Sequence, residues 1–260
     1  MDRLLLVAST FCFLFGFAYT MYALGARAYR PSRFNYGTIF LGFVFQTGFL
    51  TLRGHAQGSC PLSNLFEVFI FLSWSVVLLY LLIGSTYRMS LMGLFTSPLV
   101  FVLQVFALVA TNDTPVAKSR LNPWLEMHAA VSIIAYGAFA MAGVAGAMYL
   151  AQERQLKTHH LHTLFFHLPP IADLAVAIHR LLWTGFALLT AGLLLGFKVG
   201  FDPVQVGWGV GVWLIYAAIL QVEKLKKISP RRVAILSVLA FSVTLSTLWG
   251  LKFLATGGRF

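Results

Sequence analysis

The apolar residues of this chain fall into eight runs, near residues 4–24, 36–53, 65–84, 90–110, 126–151, 180–198, 206–222 and 232–254. A helix needs roughly 20 apolar residues to cross a bilayer core of about 30 Å. Backbone in hydrocarbon must satisfy its own hydrogen bonds, which leaves the helix as the natural spanning element for such runs. They therefore predict an all-α, polytopic membrane bundle of about eight transmembrane helices. Composition decides the same way. Of 260 residues, 59% are hydrophobic and only 10% are charged, where a soluble domain carries about 25% charged residues. No internal repeat, low-complexity tract or separate soluble domain interrupts the pattern, so residues 1–260 read as a single integral membrane domain. Met1-Asp2-Arg3 leads into an apolar run reaching Leu24 with no small-residue cleavage pattern, which reads as a retained first helix.

A net charge of +11 raises the question of nucleic acid. The basic residues, however, sit in short gaps between apolar runs rather than on one patch, so they report membrane topology and not nucleic-acid binding. One set of alternate gaps holds Arg27, Arg30, Arg33, Arg88, Arg154, Lys157, Arg180, Lys224, Lys226, Lys227, Arg231 and Arg232. The other set, with the termini, holds the remaining seven: Arg3, Arg53, Lys118, Arg120, Lys198, Lys252 and Arg259. The richer side is cytoplasmic, which predicts that the N and C termini both lie outside.

This orientation sorts the polar residues. The outer face receives His55, Cys60, Glu67, Glu126, His128 and Asp202, with Trp124 and Trp208 nearby; the inner face receives His159, His160, His162, His167, Asp173, His179 and Gln221. An ionisable group near a span is costly without a partner, so each such histidine is a functional candidate. Cys12 and Cys60 form no CxxC, which points away from zinc and thiol–disulfide chemistry.

Asn64 followed three residues later by Glu67 has the spacing of a helix-capping pair at the third span. Capping does not account for His55 or the glycine-rich approach between Gly54 and Gly58, which suit a loop lying against a ligand. On the fifth span, His128, Ser132 and Tyr136 recur at helical spacing and form a polar line in an apolar helix. His128 is then either an interfacial hydrogen-bonder or a haem iron ligand, since imidazole is a common axial ligand. His179 begins the sixth span from the inside, with Trp183 one turn on. It reads either as a headgroup anchor with Arg180 or as part of a separate inner haem site, because a membrane thickness separates it from His128. The run His159-His160-Leu161-His162 with His167 resembles a metal tract but has no Cys or acidic partner, and a solvated interfacial helix is the competing reading. The outer loop from Gly200 to Trp208, with Phe201 and Asp202, reads either as a turn plus an aromatic belt residue or as a surface for a flat apolar ligand. Pro98 reads as a tolerated kink, and Gly143 and Gly146 as a close helix contact.

Four segments in order resemble the haem-handling cytochrome c assembly proteins, in particular the CcsA and HemX-like branch. They are Pro61-Leu62-Ser63-Asn64-Leu65-Phe66-Glu67 through Trp74; Met127-His128-Ala129-Ala130 through Lys157; Leu168-Pro169-Pro170 through Gly192; and Asp202-Pro203 with Trp213-Leu214-Ile215-Tyr216. The resemblance covers roughly residues 50–225. It implies an outer-face haem platform from a tryptophan-rich loop, with flanking histidines as iron ligands. Carried over, it puts His128 in the place of the first outer histidine and Phe201, Asp202, Pro203 and Trp208 in the platform; His55 and Trp124 are cofactor-binding candidates from their outer-face position alone. The chain departs from the pattern: Phe201 stands where a Trp is expected, Val204-Gln205 replaces a Lys-Glu pair, Gln221 falls where active synthetases have a histidine, and no histidine follows the eighth span. These departures point away from a complete haem-attachment enzyme, and His179 fits the HemX-like side.

The resemblance implies a multi-pass inner (plasma) membrane protein handling haem, b-type or transiently held, in cytochrome c biogenesis or haem homeostasis. Its partners would be other membrane proteins of cytochrome c maturation or a respiratory complex. Two other classes stay open: a non-catalytic accessory subunit that keeps the fold, and a small-molecule exporter, which would want broken helices with paired polar sites at mid-membrane.

Overall fold

A computed structural model describes residues 2–25, 33–87, 92–109, 122–158, 170–197, 203–225 and 228–255. The described residues form eight α-helices and no strand: α1 Asp2–Gly25, α2 Arg33–Gln57, α3 Leu65–Tyr87, α4 Met92–Val109, α5 Pro123–Thr158, α6 Ile171–Phe197, α7 Pro203–Lys224 and α8 Pro230–Ala255. Each predicted span is a helix. Six contain stretches long and apolar enough to cross a membrane. The other two fall short for visible reasons: α4 is shorter, and α2 carries Asn35, Gln46 and Arg53 in its apolar run. Asn35 and Gln46 are buried, and Gln46 donates to the Ile70 carbonyl at 2.9 Å and to Ser73 Oγ at 2.7 Å on α3. These polar groups join helices inside the bundle, as interhelical hydrogen bonds do in lipid.

The surface is the inverse of a soluble protein's. Leu4, Phe11, Phe15, Phe40, Leu82, Leu194, Phe197 and Leu239 point outward, while Ser9, Gln46, Ser73, Ser97 and Gln104 are buried. Apolar surface this continuous requires lipid around it, and the chain is a multi-pass membrane protein.

Helix α5 is the organising element. It packs against α6 and α8 on one side and against α3 on the other, joining an α1–α4 group to an α6–α8 group. Small residues make this possible. A Cβ placed on Gly146 would lie 2.8 Å from the Ala234 carbonyl oxygen of α8, and one on Gly137 would lie 2.9 Å from Ser75 Cβ of α3. Gly143 faces Phe241 of α8, so the close contact expected at Gly143 and Gly146 is present.

Two boundaries differ from the expected spans. Helix α5 has 36 residues, about 54 Å at ~1.5 Å per residue, and continues past residue 151 to Thr158. Helix α6 begins at Ile171 rather than near residue 180. Apolar runs mark only the lipid-embedded part of a helix; beyond it, local polar contacts carry the hydrogen-bond ladder on. The Lys157–Glu153 pair at 2.7 Å and the Arg231–Glu153 contact at 3.2 Å hold the end of α5. The Pro170 carbonyl accepts from the amides of Asp173 and Leu174 at the start of α6.

Candidate functional site

At the end of the bundle where α2 stops and α3 and α5 start, the Gly54–Glu67 segment forms a clamp. The Gly58 amide donates to the Gly54 carbonyl at 2.8 Å, and Gly58 has φ of 69°, a left-handed conformation that glycine adopts at a helix C-terminus. The glycine-rich approach is thus the end of α2 rather than a ligand-facing loop. His55 lies exposed on that last helical turn. Asn64 Oδ1 caps α3 by accepting the Glu67 amide at 2.8 Å, as its spacing predicts. Glu67 reaches back one residue further than expected, accepting the Ser63 amide at 2.9 Å through Oε2.

The Glu67 carboxylate is fully buried, and Arg53 Nε at 2.9 Å and Gln57 Nε2 at 2.6 Å both donate to its Oε1. The Arg53 guanidinium also lies 5.8 Å from the Phe66 ring centroid. The Cys60 amide then donates to Glu126 Oε2 at 3.1 Å, tying the loop to the first turn of α5. Burial, with the Glu126 and Glu67 carboxylates adding to it, pushes the Cys60 thiol up to about 11. This clamp fixes the start of α5 two residues ahead of His128.

His128 is partly buried, and its Nδ1 lies 2.6 Å from the Gly192 carbonyl of α6. A carbonyl only accepts, so this contact places a proton on Nδ1, and in the neutral ring the lone pair is on Nε2. One turn deeper, Ser132 Oγ approaches α6 where a Cβ on Gly192 would lie 2.5 Å from it. Glycine at 192 is what allows both contacts. Ser132 Oγ is buried and has no hydrogen-bond partner among the described residues.

These residues line an open cleft of about 180 Å³, bounded by His128, Ser132 and Tyr136 of α5, Leu189, Leu193, Gly196 and Phe197 of α6, Val206, Trp208 and Gly209 of α7, and Thr247 of α8. The polar stripe read from sequence is one wall of this cleft, and Trp208 is part of the opposite wall. Trp124 lies one turn before His128, is 44% exposed and is not among the lining residues. His55 is not among them either. Phe201 and Asp202 lie outside the described residues, as does the His159–His167 tract; among the described residues no cluster of three metal-ligating side chains occurs.

His179 sits apart. Thirteen residues before Gly192 on the same helix, it is about 20 Å away along the axis, too far for one iron to join it to His128. The separation is shorter than a full bilayer because α6 begins earlier than its apolar run and places His179 two turns inside the helix. His179 Nδ1 lies 3.1 Å from Glu223 Oε1 of α7, and its ring is 6.3 Å from Trp183, edge to face.

Sequence reasoning missed Gly192, which lies in a stretch of ordinary helix composition. It also missed the Arg53–Glu67 pair, although a lone arginine ending an apolar run beside a lone glutamate was a signal for it.

The fold and the cleft define a multi-pass membrane protein that presents an oriented imidazole between apolar helices at one end of its bundle. The chain belongs to the cytochrome C assembly protein family, whose profile matches residues 62–257. It is 27% identical over 252 residues to cytochrome c biogenesis protein CcsA of Guillardia theta, covering 86% of this chain and 83% of that protein. It is 28% identical over 277 residues to CcsA of Synechococcus sp. (strain JA-2-3B'a(2-13)), covering 80% and 79%. It is also 28% identical over 173 residues to protein HemX of Brevibacillus brevis, covering 66% and 64%.

Proposed function

We propose that the protein binds haem in the His128 cleft and acts in cytochrome c biogenesis or haem homeostasis in the inner (plasma) membrane. One observation carries this reading: the 2.6 Å contact from His128 Nδ1 to the Gly192 carbonyl. A metal-ligating histidine commonly gives its other ring N–H to such a carbonyl, which fixes the tautomer and the ring plane. Among the described residues the donor set fits a haem. An oriented imidazole heads a cleft with apolar walls, Trp208 offers a flat face, and buried Ser132 Oγ is available for a polar atom of the ligand.

Bound there, haem would supply an iron that the His128 imidazole would hold. The chain's own residues do the rest. Gly192 orients His128, Leu189 and Leu193 give the cleft its apolar wall, and the Gly54–Glu67 clamp holds the head of α5. Family resemblance adds Phe201 and Asp202 to the platform. With the eroded aromatic signature and Gln221 in place of a histidine, haem holding or transfer fits these residues better than complete attachment. The partners in this reading are other membrane proteins of cytochrome c maturation or of a respiratory complex.

The test is an absorption spectrum of the purified protein, oxidised and reduced, beside that of His128→Ala. A haem spectrum that His128→Ala abolishes or shifts, with the variant still folded, supports the reading. A haem-free wild type after haem is offered would overturn it and leave a fold-only accessory subunit.

A further inference from the structure

A second, shallower cleft of about 410 Å³ opens on the lipid-facing side between α7 and α8. Its walls are Ile215, Ala218 and Val222 from α7 and Leu236, Leu239 and Val243 from α8, without a polar side chain among them. Leu239 and Val243 are exposed, and Ile219 and Ala240 form a buried floor. It shares no residue with the His128 cleft.

The two helices are antiparallel and meet at their basic ends, so depth can be measured from the same level on both. From Lys224 the α7 wall runs from Val222 to Ile215, and from Arg232 the α8 wall runs from Leu236 to Val243. At ~1.5 Å per residue the groove therefore begins about 3–6 Å below these cations and ends about 14–16 Å below them. Half of a ~30 Å bilayer core is about 15 Å. The groove is one leaflet deep and headed by positive charge.

The charges at its head are in excess. Lys224, Arg231 and Arg232 are exposed. Of the nearby carboxylates, Glu223 Oε1 lies against His179 Nδ1 on the far side of α7's end, and Glu153 is shared by Lys157 and Arg231. This leaves Lys224 and Arg232 to face the interface.

We propose that this groove binds an anionic phospholipid, with one acyl chain along Ala218 and Leu239 and its phosphate headgroup at Lys224 and Arg232. A partner's transmembrane helix is the weaker fit, because such contacts use small and polar residues that give close approach and hydrogen bonds. Apart from Ala218 and Ala240 the groove is lined by large aliphatic side chains, and it offers no donor. Anionic headgroups, by contrast, are drawn to cations at the membrane surface.

The test uses the full chain in mild detergent, with phosphatidylglycerol and phosphatidylcholine of matched acyl chains added in turn. Bound lipid is counted by native mass spectrometry. Wild type should retain one phosphatidylglycerol in preference to phosphatidylcholine. Lys224→Gln with Arg232→Gln should weaken that retention by roughly thirtyfold, from about fivefold per surface charge. Ala218→Phe should remove it by filling the groove, whereas Val44→Phe on the lipid face of α2 should not. The double glutamine variant alters only exposed side chains, so its result stands even if Ala218→Phe misfolds. Equal retention of the two lipids, or retention that survives both changes, would overturn the proposal. So would a cysteine crosslink between two copies through position 239, which would put a second chain in the groove.

Discussion

His128 of α5 and Gly192 of α6 meet through a side chain and a backbone carbonyl 2.6 Å apart, and the same glycine receives Ser132 Oγ where a methyl group would collide with it. Two side chains from successive turns of one helix thus use a single gap in the next. The imidazole plane is set by helix packing, so any change that moves α6 from α5 should be felt at the cleft.

Gly192→Ala should show this. Its added methyl lies 2.5 Å from Ser132 Oγ, and overpacking of this kind costs about 1–3 kcal/mol. The expected result is a lower melting temperature and less bound haem per protein. Adding Ser132→Ala removes the colliding oxygen and should restore part of both. A Gly192→Ala variant with normal haem content would show that His128 needs no help from α6.

The buried Glu67 carboxylate makes a second prediction. Arg53→Ala leaves it without its counter-ion, and breaking a buried pair from one side costs about 3–5 kcal/mol. Thermal unfolding in detergent should show a large fall, and Glu67→Gln should fall as well, because its NH2 would face the Ser63 amide or the Arg53 and Gln57 donors. An unchanged melting temperature for Arg53→Ala would mean the clamp contributes little.

Cys60 offers a test in pH. Its thiol is pushed from an ordinary value near 9 to about 11, and the thiolate is the reactive form. At pH 8 its alkylation should be slower than that of an ordinary thiol by about a hundredfold, a factor of ten per pH unit of the shift. The rate should climb until pH passes about 11. Glu126→Gln removes one of the raising charges and should speed the reaction at pH 8. Rapid alkylation of wild-type Cys60 at pH 8 would contradict its burial.

Orientation rests on the uneven distribution of Lys and Arg, twelve against seven. A reporter fused after Phe260 should behave as extracytoplasmic, because the arginine- and lysine-rich gaps stay inside. Cytoplasmic activity would reverse both faces and move the His128 cleft to the inner side.

His179 separates two readings of the basic end. If it serves a second haem, His179→Ala and His128→Ala each remove part of the bound haem and the double variant removes all of it. If it only joins α6 to α7 through Glu223, His179→Ala leaves haem content at the wild-type level and lowers thermal stability instead. The 3.1 Å contact with Glu223 supports the second outcome.

The sequence by itself determined the eight helices of the described residues, because apolar runs separated by short gaps must satisfy their own backbone hydrogen bonds in lipid. It also determined the His128–Ser132–Tyr136 stripe, since residues four apart share a helix face, and the Asn64 cap of α3, since capping is a local interaction. Only the tertiary structure decided what the stripe faces. Gly192 and Trp208 arrive from helices far along the chain, and no local period announces them. It also removed His55 from any loop, because the hydrogen bond from Gly58 to Gly54 ends α2 beyond it. The polar ends of α5 and α6 were hidden from hydropathy for a related reason: a helix ends where its capping and ion pairs end, not where the lipid does.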